Sequence, residues 1–286
     1  MFVKPFRYVR ADDLGHACDL LRASDPTAKV IAGGQSLLPL ANLGLLDLDA
    51  VIDVGQAQGA RGVSHDGGSL TIGALTRHRD LERDPTLIAH QPLIPAATSW
   101  IGSARIRTRG TIGGSLAHSD PAAELPLVMI ALGAEYELTT GTSTRMVRAD
   151  EFHVSYFTNA LAEAELISAV RVPTLGPGWG WGFAEISRRQ GDFAIAAAAA
   201  LARVADGRVV EARLALGGVH ERPVRLGDIE SAMTGASASE IDARIGPVRG
   251  LEPVSDSSAS AEHRTHLARV LSLRALTDAA RRGEAA

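Results

Sequence analysis

Two glycine-rich turns contain the residue types and spacings in this sequence that are best suited to chemistry. The first is Ala32-Gly33-Gly34-Gln35-Ser36-Leu37, and the second runs from Gly110 to Ser115. Paired glycines let a backbone approach a ligand closely and permit positive φ, and their N–H groups can converge on an anion such as a pyrophosphate. The turns therefore predict a phosphate site, with two ordinary tight turns as the alternative.

The residues around these turns indicate which phosphate-containing ligand they would bind. Lysine occurs only at Lys4 and Lys29, so there is no Gly-Lys pair and the phosphate loop of ATP- and GTP-binding enzymes is excluded. Hydroxyls are available instead at Ser36, Thr111 and Ser115. This set favours a diphosphate buried along its length over a triphosphate with magnesium. A Rossmann G-x-G-x-x-G fingerprint is also missing, so a dinucleotide would have to be held in another way.

Two groups of histidines are weaker candidates for a catalytic or metal-binding site. His118-Ser119-Asp120 has the residue types of a hydrolytic triad, but contiguous residues point in different directions and cannot form the relay by themselves. His263 and His266 have no carboxylate or third ligand near them in sequence, so a solvated helix face is the simpler interpretation than a metal site.

Three arginines and one aromatic residue can each be interpreted either as structural residues or as ligand or partner contacts. Arg105, Arg107 and Arg109 alternate before the second turn, which is typical either of an exposed strand edge or of residues that face an anion or an acidic partner. Residues 188–194 place Phe193 beside Asp192, and this aromatic residue either packs in the interior or contacts a ligand.

The apolar pattern predicts the elements that must position the turns. Asp12 or Asp13 caps a helix to about Ala23, with Cys18 on its apolar face as a core residue. A buried strand at 29–32 leads into the first turn, and 109–121 is predicted to be a loop. Further strands are predicted at 50–54, 70–74 and 134–140, and helices at 76–84, 92–101 and, with Pro121 in the first position, 121–132.

The clearest break in the chain is the glycine-rich stretch 176–182, which indicates a linker or a sharp crossing. After it, apolar runs at 195–204 and 208–219 flank Asp206-Gly207, a strong hairpin signal. Helices are predicted at 231–245 and 262–282. The order of elements predicts an α+β protein, with a larger mixed unit to about residue 175 and a smaller sheet-and-helix unit after it.

Length and composition exclude several functions. With 286 residues, about two domains of roughly 150 residues are expected. The net charge of −4 argues against a general nucleic-acid binder, and no apolar run is long enough for a membrane span. The N-terminus does not have the apolar core of a signal peptide, so we expect a cytoplasmic protein. Cys18 is the only cysteine, so this chain holds no disulfide, zinc–thiolate site or iron–sulfur cluster.

Four segments together resemble one known family. They are 32–39 (AGGQSLLP), 70–74 (LTIGA), 107–126 (RTRGTIGGSLAHSDPAAELP) and 189–194 (RQGDFA). They occur in the same order as in the FAD-binding medium subunits of the molybdenum hydroxylases, the carbon monoxide dehydrogenase and xanthine dehydrogenase family. The resemblance covers essentially the whole chain, and its 107–126 segment is long and highly specific.

The resemblance implies the fold and its division into domains. It implies a vanillyl-alcohol-oxidase (PCMH) type FAD-binding domain over 1–175, built from two α+β subdomains at about 1–57 and 58–175. A small α+β C-terminal domain of the carbon monoxide dehydrogenase flavoprotein type would follow over 178–286.

Site residues are likewise implied position by position. The two glycine turns would hold the FAD pyrophosphate, with Ile167 over the flavin ring and Phe193 near the isoalloxazine. The residues implied to bind FAD are Ile31, Ala32, Gly33, Gly34, Gln35, Ser36, Leu37, Ile101, Thr111, Ile112, Gly113, Gly114, Ser115, Asp120, Glu124, Ile167 and Phe193. No catalytic acid–base group and no metal ligand is implied in this chain.

The sequence departs from the family at three places. Ser115 stands where many relatives have Asn, and Glu124 where the xanthine branch has Asp; both can still form hydrogen bonds. Glu185 and Ser187 occupy a region where relatives often supply a Lys near the flavin, so that contact is not carried over.

The implied function is electron transfer in a molybdenum hydroxylase complex. A large subunit with molybdopterin would oxidise the substrate, a small subunit would carry two [2Fe–2S] clusters, and FAD in this chain would pass electrons to an external acceptor. A dimer of heterotrimers is expected. A stand-alone flavin oxidase or reductase and a cofactor-free scaffold remain the alternatives. Carbon monoxide, N-heterocycles and aldehydes stay open as substrates, and so does the electron acceptor.

Overall fold

A computed structural model describes residues 4–286. Its first part is a three-stranded parallel sheet in the order β1-β3-β2, formed by β1 (Arg7–Arg10), β2 (Lys29–Ile31) and β3 (Ala50–Asp53). Two helices, α1 (Leu14–Arg22) and α2 (Leu37–Asn42), belong to this part. The Asp13 side chain accepts a hydrogen bond from the His16 N–H at 2.8 Å, which confirms the predicted helix cap, and Cys18 is fully buried as predicted.

The second part is a five-stranded antiparallel sheet in the order β4-β5-β10-β6-β7. Its strands are β4 (Val63–Asp66), β5 (Ser69–Gly73), β6 (Glu135–Thr139), β7 (Thr144–Arg148) and β10 (Leu166–Pro173). A small hairpin of β8 (His153–Ser155) and β9 (Thr158–Asn159) lies beside it. The accompanying helices are α3 (His78–Arg83), α4 (Pro85–His90), α5 (Leu93–Thr98), α6 (Ala104–Arg107), α7 (Ile112–His118), α8 (Glu124–Leu132) and α9 (Ala149–Phe152).

Helix α8 is the centre of this second part. All nine of its residues, from Glu124 to Leu132, are buried, because it is covered by the sheet, by α5 and by strands of the third part. A helix that is apolar on all sides is expected to lie in a core rather than at a surface. It ends at Gly133, whose φ of +65° suits a left-handed C-cap.

The third part is a four-stranded antiparallel sheet in the order β11-β12-β13-β14, covered by a long helix. Its elements are β11 (Trp179–Ile186), β12 (Ala196–Ala205), β13 (Arg208–Gly217), β14 (Val224–Arg225), α10 (Gly227–Met233), α11 (Ile241–Ile245) and α12 (Ala261–Glu284). Asp206 and Gly207 both have positive φ, 50° and 70°, so the predicted hairpin turn between β12 and β13 is confirmed.

Several predicted boundaries are wrong. The stretch 176–182 is a linker only at its start, because β11 begins at Trp179. Residues 231–245 do not form one helix; α10 and α11 are separated by the turn at Gly235, whose φ is +78°. The helix predicted from Pro121 begins only at Glu124.

The segment around the second glycine turn is more helical than predicted. Residues 109–121 are not a continuous loop, because Ile112–His118 forms α7 with Thr111 as its N-cap. The strand-edge interpretation of the alternating arginines is also wrong, since Ala104–Arg107 is the short helix α6. Arg107 lies 3.0 Å from Glu82 in an ion pair and also binds the carbonyls of Ile101 and Gly102.

Within residues 4–286, no helix is both long and apolar enough to cross a membrane.

Candidate functional site

A cleft of about 570 Å³ lies where both glycine turns meet the edges of the first two sheets. Every residue of the predicted FAD-binding set lines this cleft except Ile112. The side chain of Ile112 is fully buried in the core of the second part, and its N–H donates to the Thr76 carbonyl at 3.1 Å. The tertiary structure therefore brings together residues that are more than 160 positions apart in sequence, from Ile31 to Phe193.

The two glycine turns touch each other. A Cβ on Gly33 would overlap the carbonyl oxygen of Arg109 and lie 2.8 Å from the Cα of Gly110. A Cβ on Gly114 would lie 3.9 Å from the Cβ of Ala32. Gly33 is thus required by the close approach of two backbones, which no residue with a side chain allows.

The first turn presents its backbone donors to the cleft. None of the described residues accepts a hydrogen bond from the N–H groups of residues 33–36. Gly34 has a φ of +72°, which helps turn the chain from β2 into α2. Unpaired backbone N–H groups that line a concave surface are the donors that an anionic diphosphate requires.

The second turn differs from the sequence prediction. All of its N–H groups except that of Thr111 are already used within the protein; for example, Gly113 donates to the Ala74 carbonyl at 2.8 Å, Gly114 to Thr111 Oγ1 at 3.1 Å, and Ser115 to the Thr111 carbonyl at 3.0 Å. This turn therefore forms part of the cleft wall, where its glycines leave room for a ligand and Ser115 supplies a hydroxyl. Most of the amides free for an anion therefore belong to the first turn, and Thr111 supplies one from the second.

Acidic residues line another stretch of the cleft, at the end of α7 and the start of α8. Burial, with a contribution from the charge of Asp120, raises the pKa of Glu124 to about 7. Burial also raises the pKa of Asp120, against the effects of a hydrogen bond from the Ala122 N–H and of the nearby His118. Glu124 can therefore present either a neutral carboxyl or a carboxylate to a ligand near neutral pH.

Apolar side chains cover the rest of the cleft. Ile167 is buried and Ile101 half-buried in its wall, whereas Phe193 is 75% exposed at the rim. Phe193 has no dense packing to hold it, which favours the ligand-contact interpretation over the packing one. A flat aromatic ligand would be able to bury these surfaces.

Phe157 also lines the cleft, although no pattern in the sequence pointed to it. Phe157 lies at the tip of the β8–β9 hairpin with a φ of +52°, and its ring contacts that of His118 in a tilted arrangement, with centroids 5.1 Å apart. Both residues line the cleft. The unusual φ is held by a hydrogen bond from the Phe157 N–H to the Ser119 carbonyl at 3.2 Å, a long-range contact that leaves no signal in the sequence.

Ser119 has a structural partner rather than a catalytic one. Its Oγ lies 2.8 Å from Nδ1 of His153 and 3.2 Å from the Thr158 carbonyl, and Nε2 of His153 lies 3.0 Å from the Tyr136 hydroxyl. One arrangement satisfies all of them: Nδ1–H donates to Ser119, Ser119 donates to Thr158, and Tyr136 donates to Nε2. This buried chain fixes the hairpin against α7, and it contains neither His118 nor Asp120.

The donor set fits FAD. The cleft combines free backbone amides and hydroxyls at the first turn, a polar carboxyl stretch and a long apolar wall, in the glycine-lined shape that an elongated dinucleotide needs. Among residues 4–286, no three His, Cys, Asp or Glu side chains are grouped so that they could hold a metal ion.

Two family profiles match the chain. One, described as the FAD binding domain in molybdopterin dehydrogenase, covers residues 4–175; the other, described as the CO dehydrogenase flavoprotein C-terminal domain, covers residues 181–279. The chain belongs to the FAD-binding medium subunits of the molybdopterin dehydrogenases. FAD is therefore the cofactor of this medium subunit, which is part of an oxidoreductase.

Known relatives match this medium subunit over nearly its whole length. The alpha subunit of the 6-hydroxypseudooxynicotine dehydrogenase complex of Paenarthrobacter nicotinovorans is 37% identical, over 97% of this chain and 95% of the relative. A chain of the carbon monoxide dehydrogenase of Hydrogenophaga pseudoflava, in a form that lacks the Mo-pyranopterin moiety, is 32% identical with a TM-score of 0.94 and 99% coverage of both chains. A chain of quinoline 2-oxidoreductase from Pseudomonas putida 86 is 33% identical with a TM-score of 0.92, again covering 99% of both.

These likenesses confirm the predicted family and the α+β fold of the medium subunit. The solved carbon monoxide dehydrogenase chain superposes over 99% of both chains, so the arrangement of three sheets and their helices is shared with it.

Proposed function

We propose that this medium subunit holds FAD in the cleft and transfers electrons from [2Fe–2S] clusters of a small partner subunit to an external acceptor. A large partner subunit would carry the molybdenum cofactor and oxidise the substrate, and two such trimers would form a dimer. The observation that carries the proposal is the meeting of both glycine turns at one cleft, where residues 33–36 present unpaired N–H groups. When bound, FAD supplies the redox chemistry, and the chain supplies position and electrostatics.

Each part of the chain has a proposed task towards FAD. The amides of residues 33–36 and the hydroxyls of Ser36 and Ser115 bind the diphosphate. Ile101, Ile167 and Phe193 bury the flat ring system and exclude water from it. We propose the same division as the sequence analysis, with FAD-binding residues 1–175 followed by a C-terminal domain over 178–286.

The carboxyl stretch gives the ring system a polar contact. Asp120 and Glu124 are buried beside the apolar wall, and their pKa values are raised, so each can donate a hydrogen bond while it remains protonated. We propose that Glu124 binds a polar edge of the flavin ring in this way.

The substrate is not selected by this chain under the proposal. The names of its relatives include dehydrogenases or hydroxylases of nicotine, caffeine, glyceraldehyde and carbon monoxide. The flavin-bearing chain is similar in all of them although the substrates differ greatly. Substrate choice therefore belongs to the large partner subunit.

The test is to purify the chain from its own cells through an affinity tag and to analyse what accompanies it. We expect two further subunits, with iron, molybdenum and flavin in the complex. We also expect FAD to be reduced only when the partners and the complex's substrate are present. Reduction of FAD in the isolated chain by a small organic substrate would instead support a stand-alone flavin enzyme, and a colourless complex would support a cofactor-free scaffold.

A further inference from the structure

The guanidinium of Arg77 connects the loop after β3 to the start of the second glycine turn. Arg77 is the N-cap residue of α3, and its backbone forms an isolated β-bridge with Thr111. One terminal nitrogen of its side chain donates to the carbonyl of Arg109, and the other donates to the carbonyl of Gly55 at 3.3 Å. Arg77 is half-buried and does not line the cleft, so it is not one of the FAD-binding residues named above.

Both carbonyls that Arg77 binds belong to backbone in contact with the first turn. A Cβ on Gly33 would overlap the carbonyl oxygen of Arg109, so this one oxygen touches both Gly33 and the guanidinium. A Cβ on Gly55 would lie 3.0 Å from the Ala32 carbonyl oxygen and 3.8 Å from Nη2 of Arg77. Only one layer of backbone therefore separates the guanidinium from the start of the first turn.

The positive charge behind the first turn has no ion-pair partner within residues 4–286. Arg61 also donates to the Gly55 carbonyl, so two guanidinium groups share one acceptor oxygen. The carboxylate of Asp53 lies at the end of β3, but its oxygens accept from the Gly55 N–H and from the Tyr8 hydroxyl, each at 2.6 Å. Two like charges on one carbonyl repel each other, and a nearby anion would stabilise them.

The two carbonyl oxygens would by themselves disfavour a diphosphate. Each carries a partial negative charge, and both lie beside the turn whose free N–H groups, at residues 33–36, are available to an anion. A guanidinium bound to both oxygens offsets this charge and fixes both segments in place. The planar fork of arginine reaches two acceptors at once, which the single ammonium of lysine does not reproduce.

We propose that Arg77 is a positioning residue for the diphosphate of FAD. It holds the second turn and the loop after β3 against the first turn, and its charge favours an anion at residues 33–36. Arg77 acts through the backbone that it binds and does not touch the ligand. The inference rests on the proposed function, which assigns the diphosphate to those amides.

The test compares the affinity of the full-length, flavin-free chain for FAD, ADP and riboflavin. ADP contains the diphosphate without the flavin ring, and riboflavin contains the ring without the diphosphate. Arg77→Gln removes both the charge and the fork. We expect it to raise the Kd of FAD and of ADP by about tenfold, as for the loss of one hydrogen bond to a charged group. The Kd of riboflavin should not change.

Ionic strength gives a readout that a merely structural role would not move. Because salt screens the attraction between a cation and the diphosphate, the Kd of FAD should rise with salt more steeply in the wild type than in Arg77→Gln. Arg77→Lys keeps the charge without the fork. It should therefore keep the salt dependence of the wild type while binding FAD less tightly, and it covers the case in which Arg77→Gln does not fold.

Arg213→Gln is the matched control. Arg213 is also half-buried and also donates to a backbone carbonyl, that of Leu132 at 3.1 Å, but it does not line the cleft or bind either glycine turn. This variant should lose stability without a change in affinity for any of the three ligands.

The outcomes separate the inference from the proposed function. An unchanged affinity of Arg77→Gln for FAD, or an equal loss for FAD and riboflavin, would overturn the inference. If only Arg77→Lys folds, an affinity for FAD equal to that of the wild type would overturn it. Equal salt dependence in the wild type and Arg77→Gln would overturn the role of the charge. If the wild-type chain does not bind FAD at all, the proposed function itself is wrong.

Discussion

Gly33 and Gly114 control the two turns in different ways. A side chain on Gly33 would collide with the backbone of the second turn, so any substitution must move the turns apart. A Cβ on Gly114 would lie 2.8 Å from Thr111 Oγ1, a side-chain atom that can rotate away, and would otherwise meet only open space and Ala32. Gly114 is therefore the better residue for testing the cleft without disturbing the backbone around it.

Gly114→Val is expected to leave a folded protein that contains much less flavin. The valine would project towards the cleft and displace Thr111 from its cap, at a cost of about 1 kcal/mol in unfolding free energy. Flavin per chain is measured by absorbance after purification, with Gly68→Val as the control, because no atom lies within 4 Å of a Cβ on Gly68. Full flavin occupancy in Gly114→Val would contradict the place assigned to the second turn.

His153 illustrates how burial fixes a protonation state. It is completely buried, its ring nitrogens are used by Ser119 and Tyr136, and burial lowers its pKa to about 4. The nearby Arg222 adds to this effect. His78, also buried and bound to the Thr111 carbonyl, has a pKa of about 4 for the same reason.

Acid is therefore expected to remove the stability that depends on these two histidines being neutral. The unfolded chain binds protons at these histidines below about pH 6.5, whereas the folded chain does not until about pH 4. The contribution of these two histidines to the unfolding free energy should thus fall as the pH decreases through this window, whereas the buried carboxyls of Glu124 and Glu185, whose pKa values are raised, change it in the opposite direction. Urea denaturation at several pH values measures it, and His153→Gln should show a weaker dependence than wild type, whereas the exposed His263→Gln should not. Equal slopes for His153→Gln and wild type would refute the assignment.

Among the elements, β11 and α12 approach each other unusually closely. A Cβ on Gly180 would overlap the carbonyl oxygen of Ala279, and a Cβ on Gly182 that of Ala275. The opposite face of the same strand carries Trp181 and Phe183 towards the FAD-binding part. The alternation of glycine and aromatic residues therefore brings a helix close on one side and packs a core on the other.

Gly182→Ala is expected to lower the unfolding free energy by about 1–3 kcal/mol, because the methyl group meets backbone that cannot move without shifting the helix. Chemical denaturation gives the measurement. Gly176→Ala is the matched control, since a Cβ there reaches only Trp179, at 4.0 Å, and its effect should be small. A difference of less than a few tenths of a kcal/mol between the variants would show that α12 can shift freely.

At the scale of the whole molecule, the cleft joins residues from all three parts of the chain. The first turn comes from the first sheet, α7 and Ile167 come from the second part, and Phe193 comes from the loop between β11 and β12. A ligand that fills this cleft contacts all three parts and adds to the contacts that they make with one another. Ligand binding and global stability must therefore be coupled.

FAD is expected to raise the unfolding free energy of the flavin-free chain by about 2.7 kcal/mol at a free concentration one hundred times its Kd. Riboflavin, which has the ring system but no diphosphate, is expected to stabilise the chain much less at the same concentration. Thermal melts at a series of ligand concentrations give both values. Equal stabilisation by the two ligands would show that the first turn does not bind the diphosphate.

Much of the local structure was predictable because it depends on neighbours in sequence. The cap at Asp13, the hairpin at Asp206-Gly207, the burial of Cys18 and the two glycine turns are all set by short-range geometry or apolar periodicity. The predicted boundaries of helices and strands were wrong where contacts between residues distant in sequence determine them. Residues 112–118 are helical because Thr111 caps them and Ala74 and Thr76 accept their N–H groups, and neither acceptor is near in sequence.

The sequence by itself determined that two close-approach turns exist, that no triphosphate loop accompanies them, and that the chain resembles a flavoprotein family. Only the tertiary structure decided which amides remain free. Apart from that of Thr111, the N–H groups of the second turn donate to acceptors within the protein, while those of residues 33–36 do not. It also left both carboxyl oxygens of the buried Glu185 without a hydrogen-bond partner among the described residues. Both outcomes depend on which strands and helices pack together, and hydrogen-bond satisfaction in a buried interior is a property of that packing.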